Sequence, residues 1–443
     1  MQNADAGQSR LTRGQLLAIS AGNAFEWYDF VVYAYVAGEL GSAFFPGNNP
    51  TANLLKTFAI FAVAYFFRPL GGVIFGQLGD RIGRKSILTL LVLLTGLSSA
   101  AIGILPTYSN AGLIAPVILM VLRIVQGIAV GGEYGGAAGY LAESTPPHER
   151  GRYISVIPQT SFAGLLAASL LLTALRAGLG QAAFHEWGWR IPFLIALPTA
   201  LVAVWMRSRL DESTEFAKLQ DAGELEKSPL WNSLRYDWRS ILQVIGLMAQ
   251  LSVGSYVITV YLQTYLSGVG RLDAVSAQWV MSAVLLGTIV IMPYAGRFTD
   301  RFGRRPAMLS SLMLLMIAPI PGFVILSSSG FAVSLITAVT LALIFAVYEV
   351  AALTAMTEVF KTARRLSGFN VGYNIAIATF AGPTPFVATL LIQVSGMKIA
   401  PAFLVVGAAV ISLLTVMTVR ESAPLAKGRG QRRSADNQSP SVF

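Results

Sequence analysis

Apolar runs of about twenty residues recur along the whole chain, and no other feature limits the possible folds as strongly. Each run can cross a bilayer's hydrocarbon core as a helix, where every backbone N–H and C=O must be satisfied inside the segment. Reading the runs against charged or Pro/Gly-rich breaks predicts twelve spans. They fall at about 15–39, 52–77, 86–106, 112–141, 152–179, 190–210, 240–268, 275–298, 307–327, 331–360, 366–394 and 398–420. Composition agrees: 54% of the 443 residues are hydrophobic and 12% charged, about half the roughly 25% of a soluble chain. The expected fold class is an all-α membrane protein. The first ten residues, MQNADAGQSR, are polar and the first apolar run is too long for a signal-peptide core, so no cleavable leader is expected.

Lys and Arg orient the spans, because loops facing the cytoplasm carry the excess of positive charge. With both termini inside, 25 of the 32 basic residues are cytoplasmic, and only Arg176, Arg190, Arg271 and Lys398 fall outside. The protein is therefore expected to be a multi-pass protein of the inner (cytoplasmic) membrane, acting as a monomer. The net charge of +10 is scattered through loops rather than gathered in a patch, which speaks against nucleic-acid binding. With no Cys and only His148 and His185, both placed in loops, no metal site is expected. The polar stretch Asp211 to Arg239 reads as a cytoplasmic linker between two six-helix bundles, at 15–210 and 240–420. Residues 1–14 form a cytoplasmic tail, and the polar, basic residues 421–443 read as a disordered one.

Compared with itself, the chain repeats GQLGDRIGRK, at Gly76 to Lys85, as GRFTDRFGRR, at Gly296 to Arg305, 220 residues later. Each copy follows the second span of its half, so the halves read as parallel repeats of the kind that enclose a central site in secondary transporters. The glycines permit tight turns and close helix approach, and the acidic residue can pair with an Arg or sit at a helix N-terminus. Asp80, Arg81 and Arg84 in one copy, with Asp300, Arg301 and Arg304 in the other, are the expected gate between the halves. Arg68, beside Pro69, Gly71 and Gly72, is assigned to the same gate or to a structural pair. The run GGEYGGAAG from Gly131 lacks both the Lys-Ser/Thr ending and the preceding strand of a phosphate loop, so it reads as small residues that let helices touch. No Walker motif argues for an ATP-driven pump; a proton gradient would be the energy source, with no cofactor.

The repeated loop resembles that of the major facilitator superfamily. Five further segments narrow the resemblance to its metabolite:proton symporter family: GNAFEWYDFVVYAY at Gly22 to Tyr35, FFRPLGG at Phe66 to Gly72, LRIVQGIAVGGEYGGAAGYLAE at Leu122 to Glu143, EWGWRIPF at Glu186 to Phe193, and the stretch around Glu358 to Phe369. Here TEVF is followed by Lys361 where relatives usually have Pro, which removes a helix-stopping residue. The resemblance implies proton-coupled uptake of citrate, 2-oxoglutarate, shikimate, aromatic acids, or the zwitterions proline and betaine.

Ionisable residues inside spans cost about 2.5–3.5 kcal/mol each near the centre, so those retained need partners or a function. Asn23, Glu26, Asp29 and Tyr33 recur every three or four residues and are placed on one face of the first helix. Two carboxylates one turn apart cannot both stay ionised easily, so Asp29 or Glu26, with Glu133 of span 4, could carry the coupling proton. The other reading is a structural network neutralised by an Arg. Arg123 and Gln126 share a face of span 4, and Arg suits a carboxylate solute through its two-pronged donor fork; alternatively Arg123 only pairs with Glu26, Asp29 or Glu133. Gln159, Tyr256, Tyr348, Tyr373 and Asn374 complete the candidate solute site, with Glu349 noted as a further intramembrane charge in span 10.

The function expected from these residues is proton symport of a small organic anion, a di- or tricarboxylate such as citrate or 2-oxoglutarate. A symporter for proline or betaine, or for a cyclic acid such as shikimate, is the alternative; Trp27, Tyr28, Tyr33 and Tyr35 offer aromatic material for a cationic solute, with Tyr33 alone on the polar face. A membrane-bound enzyme is the remote reading, since no nucleophile–base pair or metal cluster accompanies the carboxylates.

Overall fold

In the computed structural model, residues 13–47, 49–72, 74–75, 84–131, 141, 145–208, 235–360 and 365–423 are described. Every expected span is met by a helix: α1 (Arg13–Tyr35), α2 (Pro50–Phe66), α3 (Arg84–Ile104), α4 (Ile114–Val130), α5 (Val156–Glu186), α6 (Ile191–Ser208), α7 (Trp238–Tyr256), α8 (Ala274–Phe302), α9 (Arg304–Ile317), α10 (Phe331–Glu358), α11 (Arg365–Ala376) and α12 (Ala400–Thr418). Among the described residues, eight helical stretches are long and apolar enough to cross a membrane, and nine when α9 is joined to Pro319–Leu326 across a 44° bend. Pro319 accounts for that bend, since its ring displaces the preceding turn and it donates no hydrogen bond.

Local chemistry sets several ends. Asn49 caps α2 by accepting from Ala52 N at 3.1 Å, with Pro50 opening the helix. Asp273 caps α8 through Val275 N and Ser276 N, at 3.1 and 2.9 Å. Its bonds to Ser276 hold that carboxyl below the usual carboxylate range. Gly303, at φ 109°, makes the break between α8 and α9, a conformation that disfavours any side chain. α7 and α11 each pass through one π-helical turn, Val257–Tyr261 and Ile377–Ala381, before continuing as Leu262–Gly268 and Thr384–Ser395.

The helices form two six-helix bundles. α1 packs on α5, α2 on α4 and α3 on α6; in the second half α8 and α9 pack on α10, and α7 on α11 and α12. Small residues let α2 and α4 cross at backbone contact: a Cβ at Gly127 would overlap the Ala64 backbone, and one at Gly131 the Arg68 backbone. The bundles meet where α5 lies against α8 and where α2 meets the second part of α11.

One expectation about loops changes. α5 runs to Glu186 instead of ending near 179, which leaves Arg176, expected near the outer end of that span, buried in the helix. His185 likewise sits in the last turn of α5, exposed and 3.4 Å from Ser42 Oγ. Most of the expected linker, the terminal tails and the remainder of the Gly131 run lie outside the described residues.

Candidate functional site

A cavity lies between the bundles, walled by Trp27 of α1, Phe162 of α5, Ser252 and Tyr256 of α7, Glu349 of α10 and Tyr373 of α11. It offers about 30 Å³ to the centre of a water-sized sphere, room for about two waters. The two π-helical turns border it: Tyr256 immediately precedes the first, and Ile377, another lining residue, opens the second. Such turns widen a helix locally and concentrate at functional sites.

Behind the α1 wall is a polar network within the first bundle. Asp29, 2% exposed, accepts from Ser99 Oγ of α3 and from Gln126 Nε2 of α4 at 3.3 Å. Gln126 Nε2 also reaches Ser99 Oγ at 2.5 Å, and its Oε1 accepts from Arg123 Nη1 at 2.8 Å. Arg123 is fully buried, its guanidinium 4.8, 4.3 and 5.4 Å from the rings of Phe30, Tyr33 and Phe61, and it does not line the cavity. Arg68 stands 4.8 Å from the Phe30 ring and 4.5 Å from the Tyr65 ring, within electrostatic reach of Glu26, Tyr256 and Tyr373. The Tyr65 hydroxyl is hydrogen-bonded to that of Tyr256, so only a layer of rings separates Arg68 from the cavity. Arg68 thus stands with the central groups.

The supposed stripe on α1 divides. Asn23 Nδ2 donates to Ile157 O, Thr160 Oγ1 and Ser161 Oγ of the α5 segment, while the Tyr33 hydroxyl donates to Thr57 O of α2 and Asp29 turns to α3 and α4. Each step of three falls about 60° short of a full turn, so Asn23 and Asp29 point about 120° apart. Of the four α1 aromatics expected to suit a cationic solute, Trp27 lines the cavity; the hydroxyls of Tyr28, Tyr33 and Tyr35 are spent on Pro192 O, Thr57 O and Thr259 O.

Other candidates hold helices together. Gln159 Nε2 donates to Ile289 O across the bundles at 3.1 Å. Asn374 Nδ2 donates to Gly131 O, joining α11 to α4, at 3.0 Å. The Tyr348 hydroxyl donates to Leu247 O within the second bundle. Its neighbour Glu349 is the residue of that pair that faces the cavity.

The second copy of the repeat builds a lock between the bundles. Asp300 Oδ1 and Oδ2 accept from Gly151 N and Arg152 N at 2.9 and 3.0 Å. Arg304 Nη1 pairs with Asp300 at 2.8 Å and its Nη2 donates to Pro147 O at 3.3 Å. Glu358 of α10 receives Arg304 and, across the bundles, Arg150, each at 3.4 Å. Gly296 opens the motif because α8 touches the chain at Gly151 here; a Cβ on it would come 2.6 Å from Gly151 O. Arg301 is exposed over its own neighbour Phe302, outside this cluster. Asp80, Arg81 and Glu133 lie outside the described residues, as does the side chain of Arg84.

At the other end of the same helix pair is a second lock. Arg176 of α5 donates to Gln278 Oε1 of α8 at 3.1 Å, to Tyr35 O at 3.2 Å and to Glu39 Oε1 at 3.0 Å. Ser169 and Ser282 share a hydrogen bond of 2.8 Å one turn further in, where Gln278 Nε2 also donates to Ser169. Arg176, Gln278, Ser99, Arg150 and Glu358 were not among the expected site residues. Arg176 could have been found as a further Arg inside an expected span, close to its end.

A family model described as "Sugar (and other) transporter" matches residues 15–228, and one described as "Major Facilitator Superfamily" matches residues 244–441. The chain is 34% identical to the proline/betaine transporter of Escherichia coli (strain K12) over 423 residues, covering 93% of this chain and 84% of that one. It is 33% identical to the glycine betaine/proline/ectoine/pipecolic acid transporter OusA of Dickeya dadantii (strain 3937), with coverage of 93% and 84%. Among solved structures, the xylose transporter XylE of E. coli in a partially occluded inward-open conformation matches with TM-score 0.73 at 20% identity, over 92% of this chain and 98% of that one.

Proposed function

The chain belongs to the major facilitator superfamily, as a multi-pass transporter of the inner membrane, and from that premise we propose that it is a proton symporter for a zwitterionic osmolyte of the proline or betaine kind. The observation that carries this reading is the identity of about a third, over nearly the whole chain, to carriers named for proline and betaine. It replaces the di- or tricarboxylate importer expected from the residues. That expectation relied on Arg123 meeting an anionic solute, and Arg123 is instead walled in by Phe30, Tyr33 and Phe61 and bonded to Gln126.

In the proposed cycle both termini are cytoplasmic and the bundles rock about the central cavity. Asp300 and Arg304 hold the cytoplasmic side shut; Arg176 and Gln278 hold the outer side. Asp29 carries the coupling proton. Protonation removes its demand for a positive partner, which loosens the tie through Gln126 to Arg123 and connects the proton to the packing of α1 against α3 and α4. Glu26 balances Arg68 beside the cavity. Asn23, Tyr33, Gln159, Tyr348 and Asn374 act by holding helices in register, whereas Tyr256 and Tyr373 meet the solute.

The test is uptake by purified protein in liposomes under an imposed proton gradient, with proline, glycine betaine, citrate, 2-oxoglutarate and shikimate supplied separately. Uphill accumulation of proline or betaine, abolished by a protonophore, is expected. Accumulation of the carboxylates alone would overturn the reading.

A further inference from the structure

Glu349 is 4% exposed in the middle of an apolar helix, faces the cavity, and has a carboxylate oxygen, Oε2, that is buried without a hydrogen-bond partner. Ser252 Oγ in the same wall is also buried without a partner, but a hydroxyl costs far less to bury than a carboxylate. Among the described residues the other charges near the centre have opposite charges within electrostatic reach: Arg68 feels Glu26, and Arg123 feels Asp29. No cation among the described residues forms an ion pair with Glu349. A lone carboxylate in a low-dielectric cavity is costly, and a carboxylate with no partner of its own calls for a ligand or a proton.

The surroundings select between ligands. Trp27, Phe162, Tyr256 and Tyr373 bring aromatic rings to the same cavity. A carboxylate among aromatic rings suits an organic cation, which gains from the negative faces of the rings as well as from the charge. Tyr256 of the same wall is hydrogen-bonded to Tyr65, and the Arg68 guanidinium lies over the Tyr65 ring, which brings a positive charge and a hydroxyl donor close to the cavity. The cavity lining is mostly apolar, with the Glu349 carboxylate in its wall and Arg68 behind the Tyr65–Tyr256 pair.

We propose that Glu349 is the residue that recognises the cationic head of the solute, with the aromatic walls around it, and that the solute carboxylate turns toward the Tyr65–Tyr256 pair backed by Arg68. This deepens the zwitterion reading and depends on it. It predicts that a site with two arginines nearby rejects simple anions. An anion lacking a positive head leaves Glu349 unpaired and adds its own charge to a closed space.

The experiment uses glycine betaine and its uncharged-head isostere 3,3-dimethylbutyrate, in which carbon replaces the quaternary nitrogen. Binding is measured by tryptophan fluorescence or calorimetry on the purified full chain. Wild type should bind betaine at least about 100-fold more tightly than the isostere, the scale of a buried charge contact. Glu349→Gln should lose most of its betaine affinity and bind both compounds within about threefold of each other, while Glu349→Asp should retain the preference. A general packing defect would weaken both ligands together and leave their ratio unchanged. Equal binding of the two compounds by wild type, or an undiminished preference in Glu349→Gln, overturns the assignment to Glu349. If wild type binds no zwitterion at all but binds citrate or shikimate, the functional reading itself has failed.

Discussion

Asp300→Asn isolates the cytoplasmic lock with almost no change in shape. In the closed state the two carboxylate oxygens accept from two successive backbone amides, Gly151 N at 2.9 Å and Arg152 N at 3.0 Å. An asparagine has one acceptor oxygen and one donor group, so in either orientation one of those amides meets an N–H instead of an oxygen. One hydrogen bond to a charged group is lost, worth about 1.5–3 kcal/mol, and the other falls to neutral strength. The pair with Arg304, at 2.8 Å, is internal to the second bundle and persists in either state, so it drops out of the difference. The closed state should lose about 2–3 kcal/mol relative to the state open to the cytoplasm, a shift of about 30- to 150-fold. The chain has no cysteine, which permits a clean assay. Ser252→Cys places one thiol in the cavity wall, and its reaction with a membrane-impermeant maleimide is followed in inside-out and right-side-out vesicles. Adding Asp300→Asn should speed labelling from the cytoplasmic face by that factor and leave the outer face no faster. Labelling within threefold of the parent, or equally accelerated from both faces, would refute the lock.

Three further outcomes use the same preparations. Arg176→Ala removes the contacts to Gln278, Tyr35 and Glu39, so Ser252→Cys should label at least tenfold faster from the outside and at an unchanged rate from the cytoplasm. Gly296→Ala introduces a Cβ 2.6 Å from Gly151 O and should accelerate cytoplasmic labelling as Asp300→Asn does, but without altering charge, so its effect should not vary with salt. Asp29→Asn should abolish uphill accumulation while solute exchange at zero gradient continues; uptake against a gradient in that variant would remove Asp29 from the coupling step.

Much of the fold was legible because membrane insertion is a coarse physical filter: an apolar run either reaches about 20 residues or it does not, and every expected span contains a helix. The lock was legible for another reason. Self-comparison picked out Asp300 and Arg304 without any knowledge of their partners. Those partners, Gly151, Arg152 and Pro147, are about 150 residues away and contribute backbone atoms, which carry no sequence signal. The end of α5 was misread because the helix continues seven residues past its apolar run, through a stretch broken at Gly180. The α1 carboxylates were legible as unusual, but the direction each one faces was not. A three-residue spacing drifts round the helix, and only the neighbours decide where Asn23 and Asp29 end up. Arg123 and Glu349 show the limit most clearly. Both stand out as intramembrane charges, yet enclosure by Phe30, Tyr33 and Phe61 takes one away from the cavity, and the absence of any such enclosure leaves the other at its wall.

The two locks and the charge of the cavity bear on one another. Gln278 and Asp300 are 22 residues apart on α8, about 33 Å, which matches the thickness of the hydrocarbon core. α5 meets α8 at both ends and also between them, where Gln159 donates to Ile289 O. A rigid rocking of the bundles about that middle contact can separate one end while the other stays shut. Passing from one open state to the other requires a moment with both ends closed, and a closed, dry cavity cannot hold net charge cheaply. Around the centre the described residues supply two cations, Arg68 and Arg123, against three carboxylates, Glu26, Asp29 and Glu349. One proton on Asp29 with a net-neutral zwitterion brings that set to zero, the solute's positive head on Glu349 and its carboxylate toward Arg68. A dicarboxylate would add two uncompensated charges and hold the locks apart. The charge count thus favours closure on a neutral set and opposes it with a dicarboxylate; because the zwitterion adds no net charge, what separates the loaded carrier from the empty one is the pairing of Glu349 and Arg68 with the solute's two ends.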